Sequence, residues 1–103
     1  LHVDDLADAC LFLMDGYSAP GHVNVGTGVD LTIRELAETV RDLVHPGADL
    51  AFDASRPDGM PRKVLDVSKL AGLGWTARTS LTEGIVSTYA WFVEAAERGD
   101  LRL

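Results

Sequence analysis

The sequence predicts an α/β fold, a short parallel βαβ unit with flanking helices. Three observations predict it. His22-Val23-Asn24-Val25 and Leu50-Ala51-Phe52 are short, largely apolar runs bounded by turn formers. Between them lies a stretch of helical period, entered through a capping signal. Longer helical patterns stand at the two ends of the chain. A strand, helix, strand order with short connections places the strands parallel, with a right-handed crossover.

The elements follow in order. Residues 4–14 read as a helix whose first turn Asp4 or Asp5 can cap, acidic groups being favoured at a helix N-terminus. Leu6, Ala9, Cys10, Leu13 and Met14 recur at helical spacing and define its apolar face. Gly16 and Pro20-Gly21 end it. The first strand, residues 22–25, runs into the turn Gly26-Thr27-Gly28. Thr32, followed three residues later by Glu35, forms a capping box for the second helix, in which each side chain bonds a free amide of the first turn. Ile33, Leu36, Ala37, Val40, Leu43 and Val44 are expected to line its buried face, and Pro46-Gly47 stops it. Residues 50–52 form the second strand. Residues 53–63, with Pro57, Gly59 and Pro61, are irregular, and residues 64–67 are a candidate third extended piece. Ser68 is the expected cap of a short helix ending near Gly72 and Gly74. Ser80 and Glu83 form a second capping box, opening a helix from about Leu81 to Ala96 with Ile85, Tyr89, Phe92 and Val93 on its apolar face. Gly99 ends it.

Length and composition bound what such a chain can be. Its 103 residues amount to one domain, enough to bury roughly 65% of the unfolded surface. Apolar residues are 47% and charged residues 24%, an ordinary globular balance. The net charge of −7 disfavours nucleic acid, which needs clustered Lys and Arg, and equally an anionic membrane surface. No apolar run approaches the ~18 residues that span a bilayer, and no secretory leader is expected. The single cysteine, Cys10, excludes an internal disulfide and suits a reducing, cytoplasmic setting. It lies in an apolar helical stretch and reads as a buried, inert thiol. The chain opens on Leu1 and directly on a motif, so an internal piece of a longer protein is expected.

Most candidate chemistry has a structural explanation. The Gly26-Thr27-Gly28 turn lacks the third glycine of a dinucleotide loop, and it reads as a tight connection rather than a cofactor site. His2, His22 and His45 are dispersed and Cys10 is alone, so no metal site is expected. His2, just before a helix, reads as a structural hydrogen-bond partner, Trp75 and Trp91 as core. Tyr89 lacks the Lys four residues on that would make a catalytic pair, and reads as packing. The segment Arg56-Pro57-Asp58-Gly59-Met60-Pro61-Arg62-Lys63 is different. Three of the chain's nine cations fall in these eight residues, a local balance of +2 within an acidic protein. Two prolines and a glycine shape the loop. A shaped basic loop suits an anionic ligand such as a pyrophosphate, with Asp58 available to sugar hydroxyls or a base edge; the alternative is a solvated turn.

Two motifs carry a resemblance. His2-Val3-Asp4-Asp5-Leu6-Ala7 and Asn24-Val25-Gly26-Thr27-Gly28, the latter followed by Thr32-Ile33-Arg34-Glu35-Leu36-Ala37, resemble the C-terminal part of the extended short-chain dehydrogenases. A narrower signal lies in Phe52-Asp53-Ala54-Ser55-Arg56-Pro57-Asp58-Gly59, Pro61-Arg62-Lys63, Leu65-Asp66-Val67-Ser68 and Leu73-Gly74-Trp75, with Ser80-Leu81, Ser87-Thr88-Tyr89 and Trp91-Phe92 in the last helix. These resemble the GDP-L-fucose synthases, over nearly the whole chain to about Glu94.

The resemblance implies a small substrate-binding domain over residues 1–103, with an NADP-binding Rossmann domain upstream of Leu1. It implies an enzyme that epimerises GDP-4-keto-6-deoxymannose and reduces it with NADPH to GDP-L-fucose. Asp58 and Lys63 would be substrate-binding positions, Lys63 near the phosphates, with Arg62 and Arg56 as supports. The family's cofactor loop and catalytic residues have no counterpart here, so the piece alone is expected to be inactive and to bind no cofactor. Two alternatives stay open: another nucleotide-sugar epimerase, dehydratase or reductase of the same superfamily, and a non-catalytic interaction domain. Apolar surface on the first and last helices is expected to rest on the upstream half, or to pair two copies in a homodimer.

Overall fold

The computed structural model describes residues 1–57 and 59–101. Four helices follow in chain order: α1 (Val3–Gly16), α2 (Ile33–Val44), α3 (Ser68–Gly72) and α4 (Leu81–Arg98). They are distributed over two compact units. The first joins Leu1–Asp30 to Ala54–Ser80; the second joins Leu31–Asp53 to the segment from Leu81 onward.

In the first unit, α1 begins one residue earlier than its acidic pair suggests. The N-cap is His2, whose Nδ1 accepts the Asp4 N–H at 3.3 Å. The expected structural role of His2 is therefore observed, and neither Asp4 nor Asp5 is the cap. Asp5 turns inward instead, 7% exposed, and its Oδ2 accepts the backbone N–H groups of Arg78 (3.2 Å) and Thr79 (2.9 Å). One turn on, Ala9 packs with Leu70 of α3 and with Trp75, and Phe12, Leu13, Val23, Val25 and Ala77 close around them. Burying a side chain the size of Leu70 contributes about 1.5–3 kcal/mol. Trp75 is core, as expected, and its indole N–H is satisfied by Asp8 Oδ2 at 2.7 Å. The short helix α3 is opened by Asp66, whose Oδ1 accepts the Ser68 N–H at 2.9 Å; Ser68 is the first helical residue and not its cap.

Cys10 corrects another expectation, because it is exposed. At 100° per residue it projects away from Asp5 and Phe12, alongside Val3, Leu6 and Met14, which are exposed too. The helix is apolar on both faces, and only one of them is covered.

In the second unit, α2 opens on the capping box read from the sequence. Thr32 Oγ1 accepts the Glu35 N–H (3.1 Å), and Glu35 Oε2 accepts the Thr32 N–H (2.7 Å). α2 packs against α4, where Gly84 and Ala95 are the buried positions; no residue of α2 is itself buried, and Ile33, expected on its buried face, is 75% exposed. The Arg34 guanidinium stacks 4.1 Å above the Phe52 ring centroid. At the end of α4, Gly99 takes φ +72°, and the Gly99 and Asp100 N–H groups bond the carbonyls of Ala96 (3.1 Å) and Ala95 (3.0 Å), a Schellman closure. Trp91 is 59% exposed and not core.

The βαβ unit is not formed: among the described residues there is no strand. A parallel ladder needs backbone hydrogen bonds over several residues, and neither residues 22–25 nor residues 50–52 form one. The piece at 64–67 does meet 22–25, but through a side chain: the Asn24 amide donates to the Asp66 carbonyl at 3.0 Å. The expected α/β class is thereby corrected to four helices joined by irregular segments. Among the described residues no helix is long and apolar enough to cross a membrane.

Candidate functional site

The described residues of the basic loop lie within the first unit, and their environment can be built from the glycine turn upward. Gly28 has φ +72°, a left-handed conformation that side-chain-bearing residues rarely adopt. A Cβ there would also come within 2.8 Å of Val67 Cγ2. The glycine thus permits both the turn and the close approach of residues 65–67. The Thr27 hydroxyl oxygen accepts the Val29 N–H at 3.3 Å, tightening the same turn. Asp30 follows immediately and meets Arg62. Arg62 Nε donates to Asp30 Oδ2 at 2.6 Å and Nη2 donates to Oδ1 at 3.3 Å, a side-on fork. Arg62 holds the Asp30 carboxyl below its ordinary value, and Asp30 raises the guanidinium in return.

Three links therefore join the turn to the descending arm of the loop: Asn24 to Asp66, Gly28 to Val67, and Asp30 to Arg62. The arrangement places Lys63, exposed, next to an anchored residue. Among the described residues the Lys63 ammonium makes no ion pair. Arg62 remains 71% exposed, so its outer N–H donors still face solvent. Arg56 stands exposed at the loop's other end. Asp58, the other substrate-binding position expected from the sequence, lies outside the described residues. A fourth cation nearby, Lys69, is structural: its Nζ donates to the His22 carbonyl at 3.1 Å and sits 5.2 Å from the Tyr17 ring centroid.

Chemically, such a loop can present a point charge and part of a guanidinium to an anionic group. Reading the sequence did not identify Asp30. It is 32 residues from its partner, and no periodicity or spacing rule links two residues so far apart.

Comparison with known proteins gives the loop a context. No family model matches the chain. It is 55% identical over 94 residues to GDP-L-fucose synthase 1 of Arabidopsis thaliana, covering 91% of this chain and 29% of that protein. It is 49% identical over 107 residues to the GDP-L-fucose synthase of Escherichia coli K12, covering 95% of this chain and 33% of that one. Among solved structures, the GDP-mannoheptose C4 reductase of Campylobacter jejuni, determined with NADP bound, superposes with a TM-score of 0.75 at 35% identity, over 90% of this chain and 30% of that one. The chain spans about three-tenths of the length of the relatives it matches. Across nine-tenths of its residues the chain is thus similar, at about half identity, to part of the GDP-L-fucose synthases.

Proposed function

We propose that these 103 residues are the substrate-binding domain of an NADP-dependent enzyme that epimerises GDP-4-keto-6-deoxymannose and reduces it to GDP-L-fucose. The observation that carries this reading is the roughly 50% identity to GDP-L-fucose synthases across nearly the whole chain. In that protein the cofactor is held by residues outside this chain, and the 103 residues alone reduce nothing. Their contribution is to bind the GDP-sugar through the 56–63 loop. Lys63 faces the pyrophosphate as a point charge, Asp58 accepts hydrogen bonds from the substrate's hydroxyls or base, and Arg56 and Arg62 strengthen the local positive field. The enzyme works in the cytoplasm.

The nucleotide is the firmer part of the specificity. The relatives and the structural neighbour carry different sugars in their names but share guanosine diphosphate. A reductase for another GDP-sugar is accordingly the second reading. Calorimetric titration of the full-length protein with GDP and UDP tests the first point. GDP should bind more tightly, and Lys63→Ala should weaken it on the order of 10-fold, the loss of one charge-assisted contact. Equal affinity for UDP would point to a different nucleotide-sugar enzyme. Turnover of GDP-4-keto-6-deoxymannose separates the fucose reading from the second.

A further inference from the structure

We infer that Asp30 is a positioning residue for the nucleotide-binding loop, setting where Lys63 stands by holding the Arg62 guanidinium side-on. This rests on the GDP-sugar reading above and deepens it. Every described residue from 51 to 66 is exposed, so packing does not fix the loop. The fork from Arg62 to Asp30, at 2.6 and 3.3 Å, ties it to a turn that is itself constrained. Gly28 and Val67 are in close approach there, and the Thr27 hydroxyl holds the Val29 amide. Arg62 sits between Pro61, whose ring fixes its own φ, and Lys63. Fixing the Arg62 side chain therefore restrains the backbone one residue from the ammonium. A bidentate fork restrains orientation as well as distance, which a single contact does not.

An exposed ion pair contributes little to global stability. Its effect should therefore fall on binding, through the ordering that the ligand would otherwise have to impose. In the full-length protein Asp30→Asn should weaken GDP binding roughly 3- to 10-fold, the ordering cost of one or two side chains, while the melting midpoint stays at the wild-type value. Asp30→Glu, which keeps the charge, should recover most of the affinity. In an Arg62→Ala background Asp30→Asn should have no further effect, since the two residues act as one unit.

Dissociation constants from calorimetry decide each point. Wild-type affinity in Asp30→Asn overturns the inference. So does an undiminished effect of Asp30→Asn in the Arg62→Ala background, because Asp30 would then act by another route. A wild-type protein that does not bind GDP at all overturns the nucleotide reading first, and this inference with it.

Discussion

At the scale of single residues, the most constrained side chain is Asp5. A carboxylate 7% exposed must be hydrogen-bonded, and two backbone amides from residues 78 and 79 supply this. The Thr79 amide holds the carboxyl below its ordinary value, against the opposing effect of burial; the Thr79 hydroxyl, the Arg78 amide and the His2 charge add to the lowering. A depressed native pKa stabilises the fold above the unfolded carboxylate value, about 3.9. That stability is lost as the pH falls from there through the native value. Asp5→Asn should therefore lower the thermal midpoint at pH 7 and flatten its decline below about pH 4. Melts between pH 7 and pH 3 check this, and matching acid arms in the two proteins would show that the carboxylate is not tied in this way.

At the scale of elements, α2 is set by local chemistry. Its capping box satisfies amides that the helix itself leaves open. Thr32→Ala should cost about 1 kcal/mol in urea denaturation without altering the packed face of α2. A change well below this would mean that tertiary contacts with α4 dominate the start of the helix. α1 behaves differently. Its period is clear in the sequence, but a helix apolar on two sides does not announce which side will be covered. Asp5 and Asp8 find partners in residues 75–79 and turn that side inward. Of the five residues read as the apolar face, Ala9 and Leu13 join the core, whereas Leu6, Cys10 and Met14 are left outside, Met14 at 81% exposure.

At the scale of the whole molecule, the buried apolar core among the described residues is small: Ala9, Leu70, Trp75 and Ala95. Large exposed apolar side chains, by contrast, form stripes on α1 (Val3, Leu6, Leu11, Met14) and on α4 (Val86, Phe92, Val93). Contiguous stripes of this kind bind apolar ligands or other protein surfaces. The 103-residue polypeptide, expressed alone, should enhance the fluorescence of an apolar dye at neutral pH while its far-ultraviolet dichroism remains helical. Unenhanced dye with intact helicity would mean that the stripes are already covered, as in self-association.

Much of this protein was legible in its sequence for a common reason. Helix position, the Thr32–Glu35 box and the Gly99 terminus depend on bonds between residues three to five apart, so local residue types suffice to place them. The concentration of cations in residues 56–63 is likewise a property of composition, and the family motifs are contiguous strings. What the sequence could not decide is whatever depends on distant segments meeting. Residues 22–25 and 50–52 have strand-like composition, yet a strand exists only with a ladder partner, and neither segment forms a ladder. The sequence alone does not reveal the side of α1 that is buried, the exposure of Cys10, or the pairing of Arg62 with Asp30. Each is decided by tertiary contacts, which local propensity does not encode.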